Sequence, residues 1–89
     1  LSAATPYAAA VDAVIALLES VGEQDWAGRL RDAKGDADRL RRCFGGMGSL
    51  SDVQISPHNG HTLPAGADED ALNDQLDALR TELWTLLQR

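Results

Sequence analysis

This sequence is poor in the residues that most often carry chemistry. It has a single cysteine, Cys43, so no disulfide can close within these 89 residues, and a reducing compartment such as the cytoplasm is the expectation. Its aromatics are Tyr7, Trp26, Phe44 and Trp84. Alanine and leucine supply much of its 44% hydrophobic content, which favours a groove or a flat face over a large pocket. No apolar run reaches the roughly 20 residues of a membrane span. The alanine-rich stretch from Leu1 to Leu18 is interrupted by Asp12, is followed by Glu19 and lacks a basic front end, so it does not read as a signal peptide. Met47 is the only methionine, and the expectation is that Leu1 is not the native start. Positive charge is also scarce: 8 Lys and Arg stand against 14 Asp and Glu, a net charge of −6. That balance argues against nucleic acid as a default ligand and permits a basic protein partner.

What is present is a chain organised around one joint. Phe44-Gly45-Gly46-Met47-Gly48-Ser49 packs three glycines into four residues. Glycine costs a helix about 1 kcal/mol relative to alanine, so such a cluster belongs where the backbone needs unusual dihedrals or a close approach. At least one of Gly45, Gly46 and Gly48 is expected at positive φ, or too close to another backbone for a Cβ. The cluster lacks the Gly-Lys-Ser/Thr ending of a P-loop and follows a helix instead of a strand, so it reads as a sharp turn.

On either side the pattern is helical. Thr5 as N-cap and Pro6 at the first helical position open a first helix with the stripe Tyr7, Val11, Val14, Ile15, Leu18 and Val21. Gly22 is placed to end it in a left-handed conformation. A second helix runs from about Asp25 to Ala33, and a third short one from Asp36 to Cys43; a single helix bent at Gly35 is the other reading. The last helix opens at Asp68, or at Ala67 before it, and carries Leu72, Leu76, Leu79, Leu83 and Leu86 in a heptad-like seam widened by Trp84 and Leu87. Between these, Val53 and Ile55 alternate with polar residues. Pro57-His58-Asn59-Gly60 is a turn signal, and His61-Thr62-Leu63 reads as a returning strand. The expected architecture is therefore α+β: one domain over residues 1–89, three to four helices, a glycine joint at 44–49 and a two-stranded hairpin at about 52–63.

Four features bear on function. Asp52, His58 and His61 offer two imidazoles and a carboxylate for zinc binding or acid–base work. Their spacing is no recognised metal signature, and the plain reading is two hairpin histidines, one solvated and one bonding backbone. Cys43 lies among arginines, which can lower a thiol pKa; the plainer reading is a small buried hydrophobe. Trp26 and Trp84 read as core residues or as interface anchors. Asp70, Asp74 and Asp77 share one face of the last helix, at steps of four and three, either as a solvated face or as a surface that attracts a basic protein.

The residues Gly45-Gly46-Met47-Gly48-Ser49, then Leu50-Ser51-Asp52, then Asn59-Gly60-His61, resemble a family of small uncharacterised bacterial proteins with a Gly-Gly-Met-Gly-Ser signature and a downstream Asn-Gly-His turn. Gly22 to Ala27 also looks like that family's start of helix two. The resemblance covers roughly Leu17 to Leu63. It implies a bacterial helical protein without an assigned activity, and no catalytic residue is carried over. The resulting expectation is a binding or regulatory module, of the kind that immunity proteins exemplify by neutralising a basic partner. Its predicted contact residues are Asp70, Asp74, Asp77, His58 and Asn59, with no cofactor, metal or nucleic acid. The alternative is a small enzyme or metal-binding protein built on Asp52, His58 and His61.

Overall fold

A computed structural model describes residues 5–45 and 48–88. Among these residues there are four α-helices, α1 (Ala8–Ser20), α2 (Gln24–Ala33), α3 (Ala37–Arg42) and α4 (Glu69–Leu87), and no β-strand. Two single 3-10 turns, Leu50–Asp52 and Pro57–Asn59, punctuate the loop between α3 and α4.

α1 is the central element and packs against both α2 and α4. Its stripe is buried as the periodicity requires, with Val11, Val14, Leu18 and Val21 fully enclosed. Ala10 and Leu17 are buried as well, because partners on two sides enclose more of the helix than one stripe would need. The helix starts later than Thr5 and Pro6 suggest. Tyr7 is the N-cap, and Thr5 closes the preceding turn by accepting from the Ala8 amide at 3.2 Å. Its end is local chemistry. Gly22 has φ +78°, its N–H donates to the Glu19 carbonyl, and the Glu23 N–H donates to the Leu18 carbonyl at 2.8 Å. These are the two bonds of a Schellman motif, which needs a residue that tolerates the left-handed region.

Helices α2 and α3 are separate. The Asp36 carboxylate accepts from the amides of Asp38 and Arg39, so α3 begins with its own N-cap after the break at Gly35. Asp68 caps α4 in the same way through the Asp70 amide. The leucine seam of α4 faces inward, with Leu76, Leu83 and Leu87 fully buried and Leu72, Leu79 and Leu86 half-buried beside them. Burying each leucine is worth about 1.5–3 kcal/mol, which makes this seam and the α1 stripe the main source of stability.

The expected hairpin does not form, and the class is helical instead of α+β. Val53 to Ser56 precedes the turn without forming a strand ladder: Ser56 and Gln54 bond to His61 and Asn59 just beyond, and Ile55 bonds to α4. The Asn73 side chain on α4 accepts from the Ile55 N–H at 2.7 Å and donates to the Ile55 carbonyl at 2.9 Å. One side-chain amide thus takes both backbone groups that a neighbouring strand would have used. Pro57-His58-Asn59 closes a 3-10 turn that ends at Gly60 with φ +83°. The returning segment then leaves its would-be partner, and the Thr62 N–H donates to the Val21 carbonyl at the end of α1, 2.9 Å away. Alternation at Val53 and Ile55 survives as burial: Ile55 is enclosed in the core and Val53 half-buried against it.

Candidate functional site

The loop between α3 and α4 is strapped to the helices by side chains. At its start, the glycine joint closes on itself. The Leu50 N–H donates to the Cys43 carbonyl at 2.8 Å, the Ser51 hydroxyl to the Phe44 carbonyl at 3.1 Å, and the Gly48 N–H to the Asp52 carboxylate at 2.8 Å. Gly48 has φ +73°, which meets the expectation for this stretch, whereas Gly45 lies outside the left-handed region. Gly46 and Met47 lie outside the described residues. Ser49 is buried just before the first 3-10 turn. Arg80 on α4 then reaches across: its Nη1 donates to the carbonyls of Leu50 and Val53, each at 2.8 Å, and its Nη2 pairs with Asp77.

The far end of the loop is held by His61. Its ring is buried, and its Nδ1 accepts from the Ser56 N–H at 3.1 Å. The other nitrogen therefore carries the proton, and Nε2 donates to Glu23 Oε1 at 2.9 Å. The second oxygen of Glu23 caps α2 by accepting from the Trp26 amide at 3.2 Å. One carboxylate thus joins a helix N-terminus to a loop 38 residues away in the chain. Burial pushes the Glu23 carboxyl up, but the bonds from His61 and the Trp26 amide outweigh it and hold the group below its ordinary value.

The residues suggested for chemistry are not gathered. His61 has both nitrogens engaged inside the fold, Asp52 closes the glycine joint, and His58 is exposed on the second 3-10 turn. Among the described residues, no group of three or more His, Cys, Asp and Glu side chains is close enough to hold a metal ion. Asn59 is exposed and its side-chain amide donates to the Gln54 carbonyl at 2.9 Å. Burial raises the Cys43 thiol above its ordinary pKa despite Arg29 and Arg39 nearby, so it remains a thiol and donates to the Arg39 carbonyl at 3.4 Å.

The outer face of α4 is different in character. Asp70, Asp74 and Asp77 are exposed there, and Trp84 follows Asp77 two turns later on the same side. Trp84 is 42% exposed, the one large hydrophobic residue left open among those described. Its ring leans on Phe44, with centroids 5.2 Å apart and planes at 51°. Together with Ser51, Asp77, Arg80 and Thr81 the two rings line an open groove of about 350 Å³. A second, more polar hollow continues from it along α4 past Asp52, Gln54 and Asn73.

Sequence reasoning placed Trp84 on the apolar face and missed Glu23, Asn73 and Arg80. A trace of the last two was readable. They stand one heptad apart on the flank of the leucine seam, where a polar side chain has its stem against the core and its head toward whatever covers it.

The fold and this face describe a small helical protein with a side-chain-strapped loop and one open aromatic–acidic surface. A family model described as a domain of unknown function (DUF6966) matches residues 19–64, just over half of the 89, and the chain belongs to that family. The match includes both Glu23 and His61 and the loop that Arg80 and Asn73 hold, while α4 itself lies beyond it. No curated protein and no solved structure matches the chain.

Proposed function

We propose that this chain is a protein-binding module that engages a basic protein through the outer face of α4. The observation that carries the reading is the exposure of Trp84 on the face that bears Asp70, Asp74 and Asp77. Tryptophan is enriched among residues that dominate binding energy, and an open aromatic beside a row of carboxylates suits a cationic partner. Exposed carboxylates act mostly on the association rate, by long-range attraction that salt screens over about 8–10 Å. A bacterial, cytoplasmic setting and an immunity-type role, in which an acidic protein neutralises a basic one, fit this chemistry. That no helix among the described residues is long and apolar enough to cross a membrane is compatible with such a setting.

The test begins with affinity capture of the partner. Association is then measured for the wild-type protein and for the triple variant Asp70→Asn, Asp74→Asn, Asp77→Asn at low and high salt. The expected result is a rate several-fold slower for the variant at low salt, with the two converging at high salt. An unchanged rate at low salt would remove the acidic face from the interface.

A further inference from the structure

We infer that the groove beside Trp84 is a seat for an arginine side chain of the basic partner, an inference that rests on the function proposed above. The groove is open and its floor is set in advance, because Phe44 props the Trp84 ring from one side. Its polar wall is Asp77, whose side chain remains 68% exposed although one oxygen pairs with Arg80. The second carboxylate oxygen is left to accept from an incoming donor, and the hydroxyls of Ser51 and Thr81 stand on the same walls.

Charge selects the occupant. Arg80 is the one cation lining the groove, its side chain is only 12% exposed, its Nη1 donates to the Leu50 and Val53 carbonyls, and its Nη2 pairs with Asp77. An anion would therefore meet a mostly buried guanidinium already paired with Asp77, with Asp52 in the adjoining hollow. An apolar side chain would cover the ring but also strip water from Asp77 without offering a hydrogen bond in return. A guanidinium does both jobs: its plane stacks on an indole, and its edge donates to a carboxylate. The molecule already contains this arrangement. Arg29 lies 4.7 Å from the centroid of the Trp26 ring and pairs with Asp25 at 3.1 Å. Trp84 and Asp77 offer a ring and a carboxylate with one free oxygen two helical turns apart on one groove, with no cation over the ring; among the described residues the one cation over an indole is Arg29.

The experiment needs no knowledge of the partner. Acetyl-Gly-Arg-Gly-amide, its lysine counterpart and its norleucine counterpart are titrated into the isotope-labelled full chain, and the Trp84 indole N–H and the amides of Ser51 and Thr81 are followed by NMR. The arginine peptide should give saturable shifts confined to these signals, with the lysine peptide weaker by about two- to fivefold and the norleucine peptide weaker still. Trp84→Ala, checked for a retained amide spectrum, should abolish saturation, and added salt should weaken the wild-type response. Equal binding of the norleucine peptide, or shifts that are linear and spread over the surface, would overturn the seat; both readouts come from the wild-type chain and survive any misfolded variant. The titration can fail while salt-dependent association with a partner persists, and it can succeed where that association fails, so the two readings fall separately.

Discussion

The two tryptophans sit in opposite surroundings. Trp26 on α2 belongs to the buried cluster, its amide is capped by Glu23, and its own helix supplies an arginine to its ring. Trp84 on α4 leans on one neighbour and faces water. Each flanks an apolar stripe, so helical periodicity treats them alike. The difference lies in what covers the flank. The corner of α1 and α2 is enclosed by the core and tied down by the returning loop through His61 and Thr62. The outer edge of α4 receives the loop through the reach of Arg80 and Asn73 and the lean of Phe44 on Trp84, and the side beyond them stays open. A ring used for stability and a ring left available for contact are thus separated by the path of one loop.

Substitution should separate the two rings most sharply. Trp26→Ala should destabilise by about 3–5 kcal/mol in urea denaturation, since it leaves a large cavity in a small core. A loss near that of an exposed site would mean that Trp26 is no more a core residue than Trp84.

The next effect concerns the hold on the loop. Asn73→Ala orphans the N–H and carbonyl of Ile55, and it should cost about 1–3 kcal/mol and speed amide hydrogen exchange at Ile55. Protection that is unchanged at Ile55 would show that the loop is held by burial alone.

Glu23→Gln should cost less and carry a pH signature. The native carboxyl lies below its ordinary value, so its charged form contributes stability at neutral pH that is lost as pH falls from about 4.5 through the lowered native value. The gap in melting temperature between wild type and variant should be full above that range and close below it. A gap independent of pH would leave the pair with a purely geometric role.

The smallest effect on stability is expected at Trp84→Ala, below about 1 kcal/mol, because much of the ring is already in water. A loss as large as that of Trp26→Ala would erase the contrast and, with it, the reason to place a partner on α4.

Much of the helical framework is local, and the sequence carries it openly. The left-handed Gly22, the caps at Asp36 and Asp68, and the inward stripes of α1 and α4 depend on residues within a turn or two of one another. Such signals survive without knowledge of the fold, because the groups that satisfy each other are neighbours in the chain. The glycine joint was legible for the same reason, as the Gly48 N–H finds its carboxylate four residues on at Asp52. The acidic row of α4 was also legible, but Trp84 stayed between core and interface anchor, since periodicity places a residue on the flank of a seam without saying whether a neighbour covers that flank.

The loop from Val53 to Leu63 marks the boundary. Its alternation and its Asn-Gly turn describe a hairpin just as well as the strap that forms. The choice fell to Asn73, 18 residues from Ile55 in the chain, and to Glu23, 38 from His61. Composition and local pattern thus determined the helical stripes, the end of α1 at Gly22, the opening of α4 at Asp68 and the charge of the outer face, but left α2 and α3 open as two helices or one. Tertiary structure alone decided that Ile55 bonds to α4 and Thr62 to the end of α1 instead of both joining one strand ladder, because an extended backbone must pair its N–H and carbonyl with whatever the packed core brings within reach.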